Sequence, residues 1–428
     1  MKEFPNLNFL LYVSILLMDP LERIFRYLPS SSGGNLFFSS APGRADFLNT
    51  HQDYKGLPVV PIGINLRCYV GGVPRTDEQV EVISLNLMDE RLPYKDVFTL
   101  SELSLRGGGW YGDYVRAIFL SLMRHGYHLQ GANIVIDSRV PIGSGLSSSA
   151  SLEVSLAKLL SDMNDLNLSK KELAEISYEA EHDVMQIPCG RLDQYGSSYG
   201  GIVKLNTRPP YEIEEIPRRD ITIVIADSGI QHRTVKIHPI RQQEINEGLK
   251  ILMDECNIPP SLREKLGYKY YEPLWDEIKL QEIQPLLRLL PEKPAKRIYF
   301  TIVMNISTEL ALDILKRGIV PKSPIKDLAI PSSASPMEAL GTILNFQHLL
   351  LRDYYEVSIP ELERIRGSML SGGALGAKLS GAGFGGAVIA LVKEHPEEVC
   401  EAALENGAKR CWVSKPSEGA RTETLPRR

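Results

Sequence analysis

Residues 139–153 read Arg-Val-Pro-Ile-Gly-Ser-Gly-Leu-Ser-Ser-Ser-Ala-Ser-Leu-Glu. A β-type run, Ala132–Asp137, precedes them, and an amphipathic run, Ser151–Met163, follows. Strand, glycine–serine turn and helix in that order make a phosphate-binding unit. Gly143 and Gly145 let backbone approach a ligand closely and permit positive φ. The helix start offers unpaired N–H groups and the positive end of a dipole. Ser147, Ser148 and Ser149 add hydroxyls without bulk. Read as structure alone, the same residues are a serine-rich helix cap that binds nothing.

Three other readings of the turn fail. No Gly-Lys-Ser/Thr follows it, so it is not a Walker loop. Ser148 stands where a dinucleotide-binding turn needs its third glycine. The Gly-x-Ser-x-Gly pattern of a nucleophile elbow is absent.

The chain has 428 residues, enough for one large or two medium domains. Its 43% hydrophobic and 24% charged content is that of a soluble globular protein. A net charge of −5, with no dense basic run, argues against a nucleic-acid binder. The five cysteines, Cys68, Cys189, Cys256, Cys400 and Cys411, lack CxxC spacing. They read as reduced thiols of a cytoplasmic protein, neither a disulfide frame nor a zinc site. Phe9–Met18 is an apolar run too short to span a bilayer. Translation from Met18 is the preferred reading, with residues 1–17 a non-native extension; the alternative is a short peripheral helix.

Helices are expected over residues 21–28, Trp110–His125, Ser151–Met163 and Lys170–Met185, with a turn at Ser30–Gly34. Strands are expected over Pro58–Val70, Val80–Ile83, Phe98–Leu100, Ala132–Asp137, 201–205, Ile221–Ala226, Ala377–Leu379 and Ala387–Val392. The Pro209-Pro210 pair marks the expected domain boundary, giving units 18–208 and 209–428. Helices and strands mix without strict βαβ alternation, which favours an α+β fold.

Four segments carry the chemistry: residues 41–54, the phosphate turn, Ala180–Gln194, and Lys378–Gly386. Together they resemble the GHMP small-molecule kinases, and within these the galactokinases. Residues 42–56 follow the galactokinase signature PGRVNLIGEHTDYNGG with several changes. Pro141–Ala150 matches PxGxGLSSSA without a gap, and Ala180–Gln194 matches AEHxxxxxPCGxxDQ. Gly381–Gly386 matches the glycine-rich third motif. Arg352–Leu362 resembles RDxYEVSxPEL, a stretch that separates galactokinases from mevalonate and homoserine kinases. The resemblance covers residues 36 to about 422.

It implies a two-domain α+β GHMP fold with a ribosomal-protein-S5-like first domain and the active site in the cleft between the two. The implied reaction moves the γ-phosphoryl group of ATP to the anomeric hydroxyl of galactose or a close relative. Asp193 would take the hydroxyl proton, and Arg44 would pair with Asp193 and face the moving phosphoryl group. Ser149 and Glu181 would hold Mg²⁺, which needs few protein oxygens beside phosphates; Glu181 stands twelve positions before Asp193, as in galactokinases. Backbone N–H groups of Gly143, Ser144, Gly145, Leu146, Ser147 and Ser148, with Ser149, would wrap the ATP phosphates, and Trp110 would lie beside the adenine. Gly381, Gly383, Gly385 and Gly386 would turn over the site. Thr50, His51, Asp53, Gly190 and His238 would bind the sugar. Taken singly, Asp193 reads as a helix cap, Arg44 as a surface charge, Glu181 as part of a solvated acidic face, and Trp110 as core. The partners implied are ATP and a small sugar, with no nucleic acid and no membrane, in a monomer or homodimer.

Departures from the pattern gather at the sugar end. Asn49-Thr50-His51 stands where galactokinases have Gly-Glu-His. Asn tolerates left-handed backbone, so the turn can survive. The missing Glu is the residue that contacts the C6 hydroxyl in the family. Allowing one deletion, His238 replaces a sugar-contacting Tyr. Phosphoryl transfer is therefore expected intact while sugar preference is open: galactose first, then a uronic acid or an N-acetylhexosamine. A non-catalytic sugar/ATP sensor is the rival from another class. Such sensors have lost residues of the Ser-Ser-Ala turn, whereas Ser149-Ala150 is intact here.

Overall fold

The computed structural model describes residues 18–29, 35–218, 220–230 and 237–425. The expectations for residues 1–17 and for the Ser30–Gly34 turn lie outside these. Twelve strands are labelled in chain order: β1 Phe37–Leu48, β2 Val60–Pro74, β3 Gln79–Ser84, β4 Lys95–Thr99, β5 Ala132–Ser138, β6 Ile202–Leu205, β7 Ile213–Ile216, β8 Thr222–Asp227, β9 Gly376–Ser380, β10 Ala387–Val392, β11 Arg410–Ser414 and β12 Arg421–Thr422.

Among the described residues, two sheets form. The first is eight-stranded, ordered β12-β1-β2-β5-β3-β4, with the β6–β7 hairpin joined to β2. Only β3 and β5 run parallel in it. The second, β11-β8-β10-β9, is antiparallel throughout. In β3, burial alternates residue by residue, with Val80 and Val82 turned inward. They meet Val115, Phe119, Leu156, Leu160 and Leu173 from three helices, Gly112–Arg124, Ser148–Met163 and Lys170–Glu179. A larger core runs without a break from Ala45 and Phe47 of β1, through Ile62 and Ile64 of β2, into β8, β10 and the helix Glu292–Arg317. That 26-residue helix is long and apolar enough to cross a membrane, but its apolar window is 78% buried inside the protein, as in a core helix.

The mixed α+β architecture agrees with the sequence expectation. Two details differ. Pro209-Pro210 turns the β6–β7 hairpin, so β7 stays with the first sheet and the chain crosses to the second between Ile216 and Thr222. The tail then returns: β12 pairs with β1, and Arg67 donates to the carbonyls of Glu418 and Gly419. Proline pairs mark a turn, and say nothing about which sheet follows it. Not all the cysteines are free thiols, either. Cys400, on the helix Pro396–Glu405, and Cys411, on β11, form a disulfide with Cα atoms 5.7 Å apart. The chain doubles back between them, which spacing alone does not reveal. Cys68, Cys189 and Cys256 are free.

Candidate active site

The phosphate turn and β1 are in intimate contact. A Cβ on Gly43 would lie 2.6 Å from the carbonyl oxygen of Leu146, so only glycine allows the approach. Arg44 N–H donates to that carbonyl at 3.1 Å. Gly143 and Gly145 have φ of 72° and 76°, and Ser147 is left-handed at 59°. The Ser148–Met163 helix has no side-chain cap, although Ser147 occupies the cap position with its hydroxyl buried and unpartnered. By contrast, Ser169 and Ser335 close full capping boxes on their helices. Serine-rich composition here leaves helix N–H groups open, which is how an anion site differs from a cap.

β1 is irregular on both sides of Arg44, with register shifts between Pro42 and Arg44 and between Asp46 and Leu48. Such irregularities re-aim side chains. Arg44 Nε donates to Asp193 Oδ1 at 2.9 Å, and a second guanidinium nitrogen closes on the same oxygen. Nη1 donates to the carbonyl of Gly145 at 2.9 Å and pairs with Asp46 at 2.9 Å. Burial works against the Arg44 charge, but Asp193 and Asp46 more than offset it and its pKa is raised. Asp193 sits in the first turn of the helix Leu192–Tyr199 with its side chain 30% exposed. A carboxylate is thus held at an opening, by an arginine that also touches the phosphate turn.

Glu181 lies on a π-helical turn, Ala180–Val184, that interrupts the expected Lys170–Met185 helix. The side chains of Ser149, Gln194 and Cys189 hydrogen-bond its carboxyl. Burial, then the charge of Asp193, push its pKa up to about 7. Gln194 Nε2 donates to Glu181 at 2.6 Å and to the fully buried Glu153 at 3.2 Å. Glu153 Oε1 and Gln194 Oε1 have no partner. Crowded buried oxygens with excess negative charge fit a hard divalent cation. Among the described residues, no cluster of three His, Cys, Asp or Glu could hold a metal by itself, so further ligands would have to come from phosphates and water.

In the turn after β1, Asn49 and His51 are both left-handed, with φ of 63° and 65°, as the Gly-to-Asn reading anticipates. Asp53 lies against Gly190, where a Cβ would sit 2.5 Å from Oδ2. Burial raises the Asp53 pKa to about 6, with the charges of Asp46 and Asp193 adding to it. The His51 ring is 5.2 Å from His238 and 4.9 Å from Tyr355. Burial, then the charges of His238, Lys55 and Lys378, hold His51 well below its usual pKa. Four polar atoms of this short segment are buried without a hydrogen-bond partner: Asn49 Oδ1, His51 Nε2, Gln52 Oε1 and Lys55 Nζ, the last lying over the Phe300 and Tyr355 rings.

The glycine-rich turn closes the arrangement. Gly381, Gly383, Gly385 and Gly386 all have positive φ, and Gly381 N–H donates to Asp46 Oδ2 at 3.2 Å. Phe384 N–H donates to the carbonyl of Val357, within the Arg352–Leu362 motif. Trp110 is not tied to the phosphate turn by any described contact; its ring lies under the Arg106 guanidinium at 4.5 Å and beside Tyr111. Sequence reasoning missed Asp46, Lys378, Gln194 and Glu153. Asp46 was within reach, because i and i+2 on a strand share a face with Arg44.

Known proteins resemble this chain in sequence and fold. The chain matches the GHMP kinases N terminal domain over residues 113–201, the GHMP kinases C terminal over 331–409 and the galactokinase galactose-binding signature over 29–74. It is 30% identical to the galactokinase of Thermococcus kodakarensis over 392 residues, covering 89% of this chain and 98% of that one. The chain belongs to the galactokinase family. The galactokinase of Clostridium tetani is 28% identical over 407 residues, covering 93% and 94% of the two chains. Among solved structures, the galactokinase of Lactococcus lactis complexed with galactose superposes with a TM-score of 0.74 at 25% identity, covering 96% of this chain and 99% of that one. Mevalonate kinase of Methanococcus jannaschii shares the fold, with a TM-score of 0.61 at 18% identity. The galactokinase signature contains Arg44, Thr50, His51 and Asp53, so the family's diagnostic segment is also where the unpartnered atoms lie.

Proposed function

We propose that this protein is an ATP-dependent galactose 1-kinase. The observation that carries the reading is Arg44, whose guanidinium joins the Asp193 carboxylate to the carbonyl of Gly145 in the phosphate turn. Base and phosphate cradle are thereby held in one geometry, which is most of what phosphoryl transfer asks of a protein. Asp193 accepts the proton of the anomeric hydroxyl as that oxygen attacks the γ-phosphorus. Arg44 faces the charge that develops on the moving group. Open N–H groups of the 143–148 turn receive the phosphates, with Ser149 beside them. Ser149 and Glu181 would hold Mg²⁺, which when bound would supply charge neutralisation beside the phosphates. Trp110 beside the adenine belongs to the same reading.

The unpartnered donors and acceptors of residues 49–55 ask for a ligand that offers both, which a polyhydroxylated sugar does. His51, Asp53, Gly190, Thr50 and His238 form its binding wall, and the glycines of 381–386 cover it. The curated relatives are named galactokinases, which favours galactose over the other sugars and over a non-catalytic sensor. Two lobes, divided at the 217–221 crossing, and a cytoplasmic setting belong to the same reading.

ADP release with Mg-ATP and a sugar panel tests it. Galactose is expected to drive turnover, and Asp193→Ala to lower kcat by about 10²–10⁴-fold, the usual worth of a general base. ATP binding without turnover on galactose or any other sugar would overturn the kinase reading.

A further inference from the structure

Asp193 stands in the first turn of a helix, Leu192–Tyr199, whose start has no side-chain cap. Its carboxylate is drawn away to Arg44 on β1. That pair fixes where the carboxylate ends. It does not fix where the backbone beneath it stands, and a short uncapped helix start frays unless something else holds it.

Arg191, the residue before this helix, supplies the hold. Its guanidinium lies 3.9 Å from the ring centre of Tyr178 and 3.9 Å from that of Tyr211. Its edge is paired with Glu175, Nε donating to Oε1 at 2.9 Å and Nη2 to Oε2 at 3.1 Å. The hydroxyl of the fully buried Tyr195, one turn into the helix, donates to the same Glu175 oxygen. A planar guanidinium fixed by two rings and by a carboxylate fork has little freedom left. Position 191 is open in AEHxxxxxPCGxxDQ, so this hold belongs to the present chain.

The two rings come from different places. Tyr178 is on the Lys170–Glu179 helix and also stacks on His182, at 4.9 Å, beside Glu181. Tyr211 is at the tip of the β6–β7 hairpin, left-handed at φ 55°. Lys171 Nζ ties that tip to the same helix by donating to the Pro210 carbonyl at 2.9 Å. A surface hairpin thus reaches a residue two positions from Asp193.

We propose that Arg191, clamped by Tyr178, Tyr211 and Glu175, is a positioning residue that sets the Asp193 carboxylate against the sugar hydroxyl, so that a hairpin-tip tyrosine governs the chemical step. The proposal rests on the kinase reading above. A small displacement of a base costs rate in the transition state and leaves ground-state binding of both substrates in place.

The test is steady-state turnover of galactose with Mg-ATP by wild type, Tyr211→Phe, Tyr211→Leu, Arg191→Lys and the Tyr211→Leu/Arg191→Lys double variant, each first checked for a cooperative melt. Tyr211→Leu removes the ring face and is expected to lower kcat at least about 10-fold, with both KM values within about threefold of wild type. Tyr211→Phe keeps the face and is expected to hold kcat within about twofold. Arg191→Lys keeps the charge but loses the flat fork, and a kcat loss like that of Tyr211→Leu is expected. Because both changes act through one clamp, the double variant should be no slower than the slower single one. If Tyr211→Leu fails to melt cooperatively, Arg191→Lys decides by the same kcat and KM criteria. Single variants that melt lower but keep kcat, or a Tyr211→Phe as slow as Tyr211→Leu, overturn the proposal and leave the kinase reading intact. Silence of wild type on galactose removes both.

Discussion

Asp53 shows how a residue proposed to bind the substrate can work against the fold that carries it. Its pKa rises to about 6, first through burial and then through the charges of Asp46 and Asp193. Between about 4, the unfolded value, and 6 the folded chain binds more protons than the unfolded one, so this group lowers stability as pH rises, and the full penalty is present above 6. Asp53→Asn removes the penalty. The variant is expected to melt higher than wild type at pH 7.5 and level with it near pH 4. Its kcat/KM for galactose should be low throughout. In wild type, at saturating Mg-ATP, kcat/KM should fall about tenfold per pH unit below 6, and this limb should be missing from the variant. Identical melting temperatures at pH 7.5 would show that the carboxylate is not desolvated as described. This scale is legible in the chain wherever a motif names a residue. Arg44 and Asp193, Asp53 and Gly190, and His51 and His238 are far apart in the chain, yet each pair meets. Lys378 was opaque because a single basic residue in an apolar strand has no spacing to betray it. Only the fold shows it ending on Thr50.

Among the elements, the Ser148–Met163 helix combines two demands that pull apart. Its uncapped start suits phosphates, while a carboxylate at the cap would suit the empty protein. Ser147→Asp is expected to raise the KM for ATP at least about 10-fold, through like-charge repulsion, without lowering the melting temperature of the ATP-free protein. An unchanged KM would mean that the phosphates bind elsewhere. Two π-helical turns do related work. Ala180–Val184 carries Glu181, and Leu350–Tyr354 leads into Tyr355, which stacks on Phe300 at 4.2 Å. Both break helices that periodicity reads as continuous, because one inserted residue barely disturbs an apolar pattern. β1 was equally hidden. Pro42 and Gly43 look like a strand breaker, yet they supply the irregularity that aims Arg44.

For the molecule as a whole, the two sheets are stitched at β1. Asp46 N–H donates to Ser380 Oγ at 2.8 Å, Gly381 N–H donates back to Asp46, and Lys378 reaches the Asp46 carbonyl. On the other side, the C-terminal segment covers β1 and holds Arg67, which is only 3% exposed. Removing residues 416–428 would uncover the β1 edge and strip a buried guanidinium of three partners, Ser417 and the carbonyls of Glu418 and Gly419. Ser40 would still bind that guanidinium, so the loss is of hydrogen bonds to a charged group, each worth about 1.5–3 kcal/mol. The shortened chain is expected to lose soluble yield or to melt at least about 5 °C lower, and an unchanged melt would assign the tail no structural part. No pattern announces a two-residue strand such as β12, so the α+β class was readable from the chain while this closure was not.

The returning tail also bears on how the protein is made. A ribosome releases the N-terminal end first, at about 5–20 residues per second, and early segments ordinarily begin folding as they emerge. Here β1, which carries Arg44, has its last neighbour encoded some 380 residues later, at Arg421 and Thr422. The strand that aims Arg44 therefore waits, with its Ser39–Ser40 edge open, until Arg421 and Thr422 have been made.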